Sequence, residues 1–248
     1  MSEYILRTEG LSKEYDGHLA VNDLDLNLCK GDIYGLIGKN GAGKSTLLKM
    51  ISGLSKPTCG TITLNGDLLQ GNNINARIGT LIERPGLISN MSAYDNLKMK
   101  KIFVNEKNFN DINELLKLVG LYSERNKLVK SFSVGMKQRL GIAMALVGKP
   151  NLMILDEPIN GLDPQGIVDI RNLIIKLNVE MGISMIISSH MLSELSKVAT
   201  KYGIINSGKL IKEFTNEELQ NECKRLDIDI ESYFLKITGR SEEHTSEL

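Results

Sequence analysis

Ile33-Tyr34-Gly35-Leu36-Ile37-Gly38-Lys39-Asn40-Gly41-Ala42-Gly43-Lys44-Ser45-Thr46 is the stretch that decides the fold. Ile33–Ile37 reads as a short apolar strand running straight into a glycine-rich turn, and Lys44–Ile51 as a helix stopped near Gly53. Gly38 to Ser45 matches G-x-x-x-x-G-K-[ST] in the strand-before, helix-after context that motif requires. At this composition roughly 0.02 matches per chain arise by chance, so an ordinary glycine-rich turn is a weak rival. Glycines let the backbone curl until several N–H groups point at one anion. The helix N-terminus adds its partial positive charge at the same place. Lys44 then reaches the terminal phosphates of a nucleotide, and the Ser45 hydroxyl ligates Mg²⁺. Gly38, Asn40, Gly41, Ala42, Gly43 and Thr46 complete the loop's candidate contacts.

Strand-like and helical segments alternate on both sides of this loop. Tyr4–Glu9 and Leu24–Leu28 read as strands, the second with Asp25 and Asn27 on a wet face. Gly60–Leu64 and Ile78–Ile82 are further strands, and Asn65-Gly66 is a hairpin signal. From about Met91 to Gly148 the character turns helical, with Asn113–Val119 and Met136–Val147 as apolar-faced helices. Strands return at Leu152–Leu155, Ser184–Ser188 and Tyr202–Ile205. The helix Pro164–Met181 between the first two places Ile167, Ile170, Ile174, Leu177 and Met181 on one face. Thr215-Asn216-Glu217-Glu218 fits a capping box that opens a late helix. The pattern predicts a mostly parallel sheet with crossover helices and a helical block in its middle.

Ligands of open α/β sheets gather at the carboxyl ends of the strands. Leu152-Met153-Ile154-Leu155-Asp156-Glu157 delivers two carboxylates to such an end. Asp156 suits a metal-side carboxylate, and Glu157 is placed to orient an attacking water or accept its proton. A solvated acidic turn before Pro158 is the plain alternative, weakened by the phosphate loop elsewhere in the chain. His190 closes the strand Ile186-Ile187-Ser188-Ser189 at the same sheet edge, which favours a γ-phosphate contact over a surface histidine opening a helix. Asp163, after Gly161, passes as a turn when taken alone.

Composition bounds the rest. The 248 residues carry 30 basic and 30 acidic side chains, so no whole-molecule field favours nucleic acid or anionic lipid. Any phosphate site is therefore local. Aromatics at 5% and the absence of tryptophan argue against a platform for single-stranded nucleic acid. Cys29, Cys59 and Cys223 stand in no metal-ligand pattern and read as reduced thiols of a cytosolic protein. No stretch approaches the roughly 18–20 apolar residues of a membrane span, and Met1-Ser2-Glu3-Tyr4 does not open a signal peptide. The tail Ser241–Leu248 is polar and patternless, and is expected to be a disordered or non-native end.

These pieces, in this order, resemble the nucleotide-binding subunit of ATP-binding cassette (ABC) transporters, from about Glu3 to Gly239. The resemblance implies a P-loop NTPase fold of the α/β class. It comprises an ABC-type ATPase core, a small antiparallel β region and an inserted helical subdomain at about residues 90–148, in one domain of residues 1–240. Tyr15 falls where the family places an aromatic ring against adenine; a packed surface tyrosine is the other reading. Phe132-Ser133-Val134-Gly135-Met136 occupies the place of the signature Leu-Ser-Gly-Gly-Gln, which the family uses on the ATP held by the opposite subunit. Ser133 and Gly135 are kept, whereas Val134 replaces the first glycine and Met136 the glutamine. Glu83 stands where the family has a glutamine that contacts metal-bound water, and Asp163 joins the candidate nucleotide contacts.

Glu83, with Ser133-Val134-Gly135-Met136-Lys137-Gln138-Arg139-Leu140, looks like the subgroup that exports bacitracin and lantibiotics. The resemblance implies a dimer around two Mg-ATP, docked on separate integral-membrane permease subunits at the cytoplasmic face of the plasma membrane. The segment Glu83–Leu97 is the expected docking groove. A soluble cassette ATPase acting on ribosomes or DNA is the rival from another class, and a weakly catalytic nucleotide-binding regulator is the second.

Overall fold

A computed structural model describes residues 3–69 and 78–239 of the chain, so the tail at 241–248 lies outside the described residues. The chain opens with two long antiparallel strands, β1 (Tyr4–Tyr15) and β2 (His18–Cys29), and then β3 (Ile33–Ile37) and α1 (Lys44–Ile51). β4 (Cys59–Leu64), β5 (Asp67–Leu68) and β6 (Ile78–Leu81) follow. Three helices, α2 (Ala93–Phe103), α3 (Ile112–Leu118) and α4 (Val134–Leu146), fill the interval before β7 (Leu152–Asp156). The remainder is α5 (Pro164–Met181), β8 (Ser184–Ser189), α6 (Leu192–Leu195), β9 (Lys201–Asn206), β10 (Lys209–Thr215), α7 (Asn216–Leu226) and α8 (Ile230–Gly239).

Two sheets result. One has the order β2-β1-β4-β5 and is antiparallel; the other has the order β10-β9-β3-β8-β7-β6. In the second sheet β9, β3, β8, β7 and β6 run parallel, and β10 is antiparallel to β9. Period-two alternation sorts its side chains into two cores. Tyr34, Leu36, Leu152, Ile154 and Ile186 face α1 and the antiparallel sheet. Ile33, Ile37, Met153, Leu155, Met185 and Ile187 face the other helices. A strand buried on both faces has to be apolar throughout, as Ile33–Ile37 and Leu152–Leu155 are.

The hairpin signal holds: Asn65 and Gly66 take φ 52° and 85° between β4 and β5, the paired left-handed geometry of a two-residue hairpin. The capping box holds as well, since Thr215 Oγ1 accepts the Glu218 N–H and Glu218 Oε2 accepts the Thr215 N–H. Both early strands exceed their expected lengths, because β1 and β2 pair up to a two-residue turn at Asp16-Gly17 and lend each other hydrogen bonds that apolar patterning does not report. Met181 departs from the expected apolar face and is half exposed. It precedes the left-handed cap Gly182 (φ 65°), where the chain turns off into β8. α4 lies directly on β6, where a Cβ at Gly79 would collide with the Ala145 carbonyl oxygen.

Candidate functional site

The phosphate loop joins the end of β3 to the start of α1. Gly41 and Gly43 take φ 81° and 107°, conformations that side chains resist. Crowding adds to this: a Cβ on Gly43 would collide with the Ala20 carbonyl oxygen, and one on Gly38 would lie 2.5 Å from the Ile205 carbonyl oxygen. The Ala42 carbonyl accepts the Gly208 N–H at 2.9 Å, and the Gly208 carbonyl accepts the Asn22 N–H at 2.9 Å. The loop is thus pinned to the β9–β10 turn and to β2. Lys44 is 6% exposed, and its Nζ donates to the carbonyls of Gly38 (2.7 Å) and Lys39 (3.3 Å). A buried ammonium needs such partners, so the loop's curl encloses a fixed positive charge. Ser45 and Thr46 sit half-buried in the first turn of α1, and Asn40 and Gly41 are exposed at the loop's outer edge.

The carboxylate pair arrives on β7. Parallel pairing sets Asp156 beside Ser188, whose Oγ donates to Asp156 Oδ1 and accepts the Glu157 N–H at 3.0 Å. Glu157 takes φ 50°, a conformation that costs a non-glycine residue roughly 1–2 kcal/mol. That turn directs its carboxylate at two cationic or proton-bearing groups. Oε1 lies 3.9 Å from Lys44 Nζ, and Oε2 lies 2.7 Å from His190 Nδ1. Nδ1 of the imidazole thus faces Glu157, and Nε2 is the ring nitrogen left for a ligand, donating to an anion when it carries a proton. Lys44, Asp156, Glu157 and His190 therefore meet at one sheet edge. Ser188 belongs with them and was not read from the sequence. The available signal was a polar pair, Ser188-Ser189, closing an otherwise apolar strand, and both residues are fully buried.

The other candidates lie around this centre. Glu83 takes φ 62° just past β6, and its Oε1 lies 2.5 Å from Nζ of Lys49 on α1. Hydrogen bonding to Lys49 holds the Glu83 carboxyl below its ordinary value, and the same bond raises Lys49. Tyr15, at the tip of β1, is 45% exposed; its hydroxyl lies 3.3 Å from Ser55 Oγ, and Lys13 Nζ sits 4.9 Å from the ring centre. Ser133 caps α4 by accepting the Met136 N–H at 3.2 Å, and Asp163 caps α5 by accepting the Gly166 N–H at 3.1 Å. These two helix starts are neighbours, because Leu162 Cδ2 would lie 3.7 Å from a Cβ on Gly135. Among the described residues no hydrogen bond joins Ser133, Gly135 or Asp163 to the phosphate loop.

No three His, Cys, Asp or Glu side chains gather as a metal cage among the described residues. Ser45 and Asp156 provide one hydroxyl and one carboxylate. This sparse set suits a hard divalent cation that brings phosphate oxygens and waters with it.

Phosphoryl transfer to water needs little covalent chemistry from a protein; it needs an enclosed cation, a water-orienting carboxylate and a rigid frame. That requirement and this sheet edge define a phosphate-loop nucleoside triphosphatase of the α/β class. Residues 21–160 match the family model described as ABC transporter, and the chain belongs to that family as an ATP-binding and ATP-hydrolysing subunit. It is 42% identical over 225 residues to the bacitracin transport ATP-binding protein BcrA of Enterococcus faecalis, covering 90% of this chain and 73% of that one. It is 43% identical over 216 residues to the lantibiotic transport ATP-binding protein SrtF of Streptococcus pyogenes, covering 86% of this chain and 93% of that one. Among solved structures, cbiO1 of Clostridium perfringens, part of the transporter complex cbiONQ, superposes with a TM-score of 0.80. That match has 30% identity and covers 89% of this chain and 92% of that one.

Proposed function

We propose that this chain powers export of a peptide antibiotic of the bacitracin or lantibiotic type, working as a dimer on separate membrane permease subunits. The observation that carries the ATPase half is the position of the Glu157 carboxylate between Lys44 and His190. Glu83 and the Ser133-to-Leu140 string, together with the names of the BcrA and SrtF relatives, support the cargo class. No helix among the described residues is long and apolar enough to cross a membrane, so a membrane task calls for a partner that spans it. The cytoplasmic face, where ATP is available, is the place for such a subunit.

In this reading Lys44 and the loop N–H groups bind the β- and γ-phosphates, and Tyr15 stacks on adenine. Ser45 and Asp156 would hold Mg²⁺, with Glu83 reaching it through water; the ion supplies neutralisation of phosphate charge. Glu157 orients the attacking water and takes its proton, and His190 contacts the γ-phosphate and fixes the Glu157 carboxylate. Ser133 and Gly135 act on the nucleotide of the second copy, across a two-fold axis that also brings Asp163 near it. Residues 90–148 form the inserted helical unit, and the groove from Glu83 to Leu97 receives the permease.

The test has two parts. The chain, purified with the membrane proteins encoded beside it, is expected to hydrolyse ATP and to co-elute with them. A strain lacking the gene is expected to become several-fold more sensitive to bacitracin or to a lantibiotic. Unchanged sensitivity to both classes would remove the cargo assignment and leave the ATPase standing.

A further inference from the structure

Outward from the carboxyl ends of β7 and β8, Lys49 of α1 forms an ion pair with Glu83. Lys49 lies four residues after Ser45, so the two share one face of α1 a single turn apart. Glu83 opens the segment that leaves β6 and leads into α2. The far end of that segment is tightly held: Asn96 Oδ1 accepts the Ile88 N–H at 2.8 Å, and its Nδ2 donates to the carbonyls of Ile88 and Ser92. Its middle, at Pro85, packs on Gly141 of α4, where even a Cβ would come within 2.9 Å. At the near end, among the described residues, the Lys49–Glu83 contact alone links residues 82–87 to α1 by a hydrogen bond or ion pair.

We propose that Lys49 is the positioning residue for Glu83, clasping the segment after β6 to the helix that carries Lys44 and Ser45. An exposed ion pair adds little to stability, and the side chains here are 34% and 63% exposed. Its consequence is geometric. A carboxylate brought toward phosphate oxygens repels them, whereas a carboxylate paired with an ammonium at 2.5 Å presents almost no net charge. The left-handed backbone at Glu83 gives that side chain its direction, and the contact with Lys49 keeps the carboxylate on the α1 side of the segment. Movement of α1 with its bound phosphates is thereby conveyed to the chain entering α2. The inference rests on the ATPase reading of the site and is independent of the cargo.

A double-mutant cycle on the purified protein tests it. Lys49→Met should lower kcat for ATP about tenfold with a smaller change in KM, and should speed amide exchange at residues 82–88. Lys49→Arg, which keeps the charge, should recover most of the lost rate. In a Glu83→Gln background, Lys49→Met should have no further effect on rate or exchange. Additive losses in the cycle would overturn the proposal, as would unaltered exchange at residues 82–88 in Lys49→Met. Wild-type protein that hydrolyses no ATP in the same assay would instead sink the reading of the site, so the two failures are distinguishable.

Discussion

Glu157 and His190 meet across the ends of two adjacent parallel strands, with Oε2 2.7 Å from Nδ1. Neither strand alone creates the contact. β7 and β8 pair so that Asp156 lies beside Ser188, and the next residue on β7 turns through φ 50° to direct its carboxylate over the end of β8. The Glu157 N–H is held by both the hydroxyl and the carbonyl of Ser188, which fixes the turn. The carboxylate's direction is thus set by the protein's own hydrogen bonds, the kind of fixed geometry that electrostatic catalysis calls for.

Glu157→Gln keeps the size of the side chain and the φ of the turn but removes the proton acceptor. ATP affinity is expected to stay within a few-fold of wild type, while turnover falls by about 10²–10⁴, the usual range for a lost general base. The ATP-bound form should accumulate as a dimer. Phosphate release and size-exclusion chromatography with ATP check both outcomes, and wild-type turnover would remove Glu157 from its role.

Two loop glycines should respond differently to the same added methyl group. At Gly41 (φ 81°) a Cβ meets nothing within 4 Å, so Gly41→Ala bears only the left-handed backbone cost of roughly 1–2 kcal/mol. At Gly43 (φ 107°) the Cβ also runs into the Ala20 carbonyl oxygen, so the loop has to shift off β2. Gly43→Ala should lose nucleotide binding, and Gly41→Ala should keep most of it. Fluorescent-nucleotide titration beside thermal denaturation separates the two effects; equal losses would mean that crowding against Ala20 is unimportant.

The same contrast explains what the sequence could disclose. The phosphate loop is legible because its chemistry is local: spacing, glycine and one lysine lie within eight residues. Asp156 and Glu157 are legible because an apolar strand ends on them. The bond from Glu157 to His190 spans 33 positions and depends on strand register, which no local pattern reports. Lys49 was hidden for the same reason, since its partner lies 34 positions away and an exposed lysine on a helix is ordinary. β10 carries no apolar pattern to mark it, since only Phe214 among its residues is buried.

Acid sensitivity should be written partly in Glu194, which accepts from Lys197 and from Arg171. The Lys197 hydrogen bond is the main cause that holds its carboxyl below the ordinary glutamate value, with both cations adding to it. A depressed folded-state value means that the Glu194 carboxyl binds fewer protons in the native chain than in the unfolded one. The stability it contributes is therefore full above about pH 4.3, the unfolded value, and is lost as pH falls through the lower folded value. Glu194→Gln should flatten that acid limb and leave its slope near neutral pH unchanged. Urea denaturation between pH 3 and pH 7 reads the difference, and an identical acid limb in both proteins would refute the assignment.

Ser133 serves its own protomer and, in the proposed dimer, the other one. Within the chain its Oγ accepts the Met136 N–H and caps α4, so Ser133→Ala should cost about 1 kcal/mol of stability. That loss alone says nothing about a second copy, because any capping serine would show it. Ser133→Asp separates the two roles. Aspartate caps a helix as well as serine does, so the fold should keep its stability, but the new carboxylate would face the phosphates of the opposing nucleotide. In the Glu157→Gln background the Asp variant should therefore melt like its parent, yet show ATP-dependent dimerisation weakened by tenfold or more in light scattering. If Ser133→Asp dimerises as tightly as the parent, Ser133 is a helix cap and nothing else, and the inter-subunit reading of Gly135 falls with it.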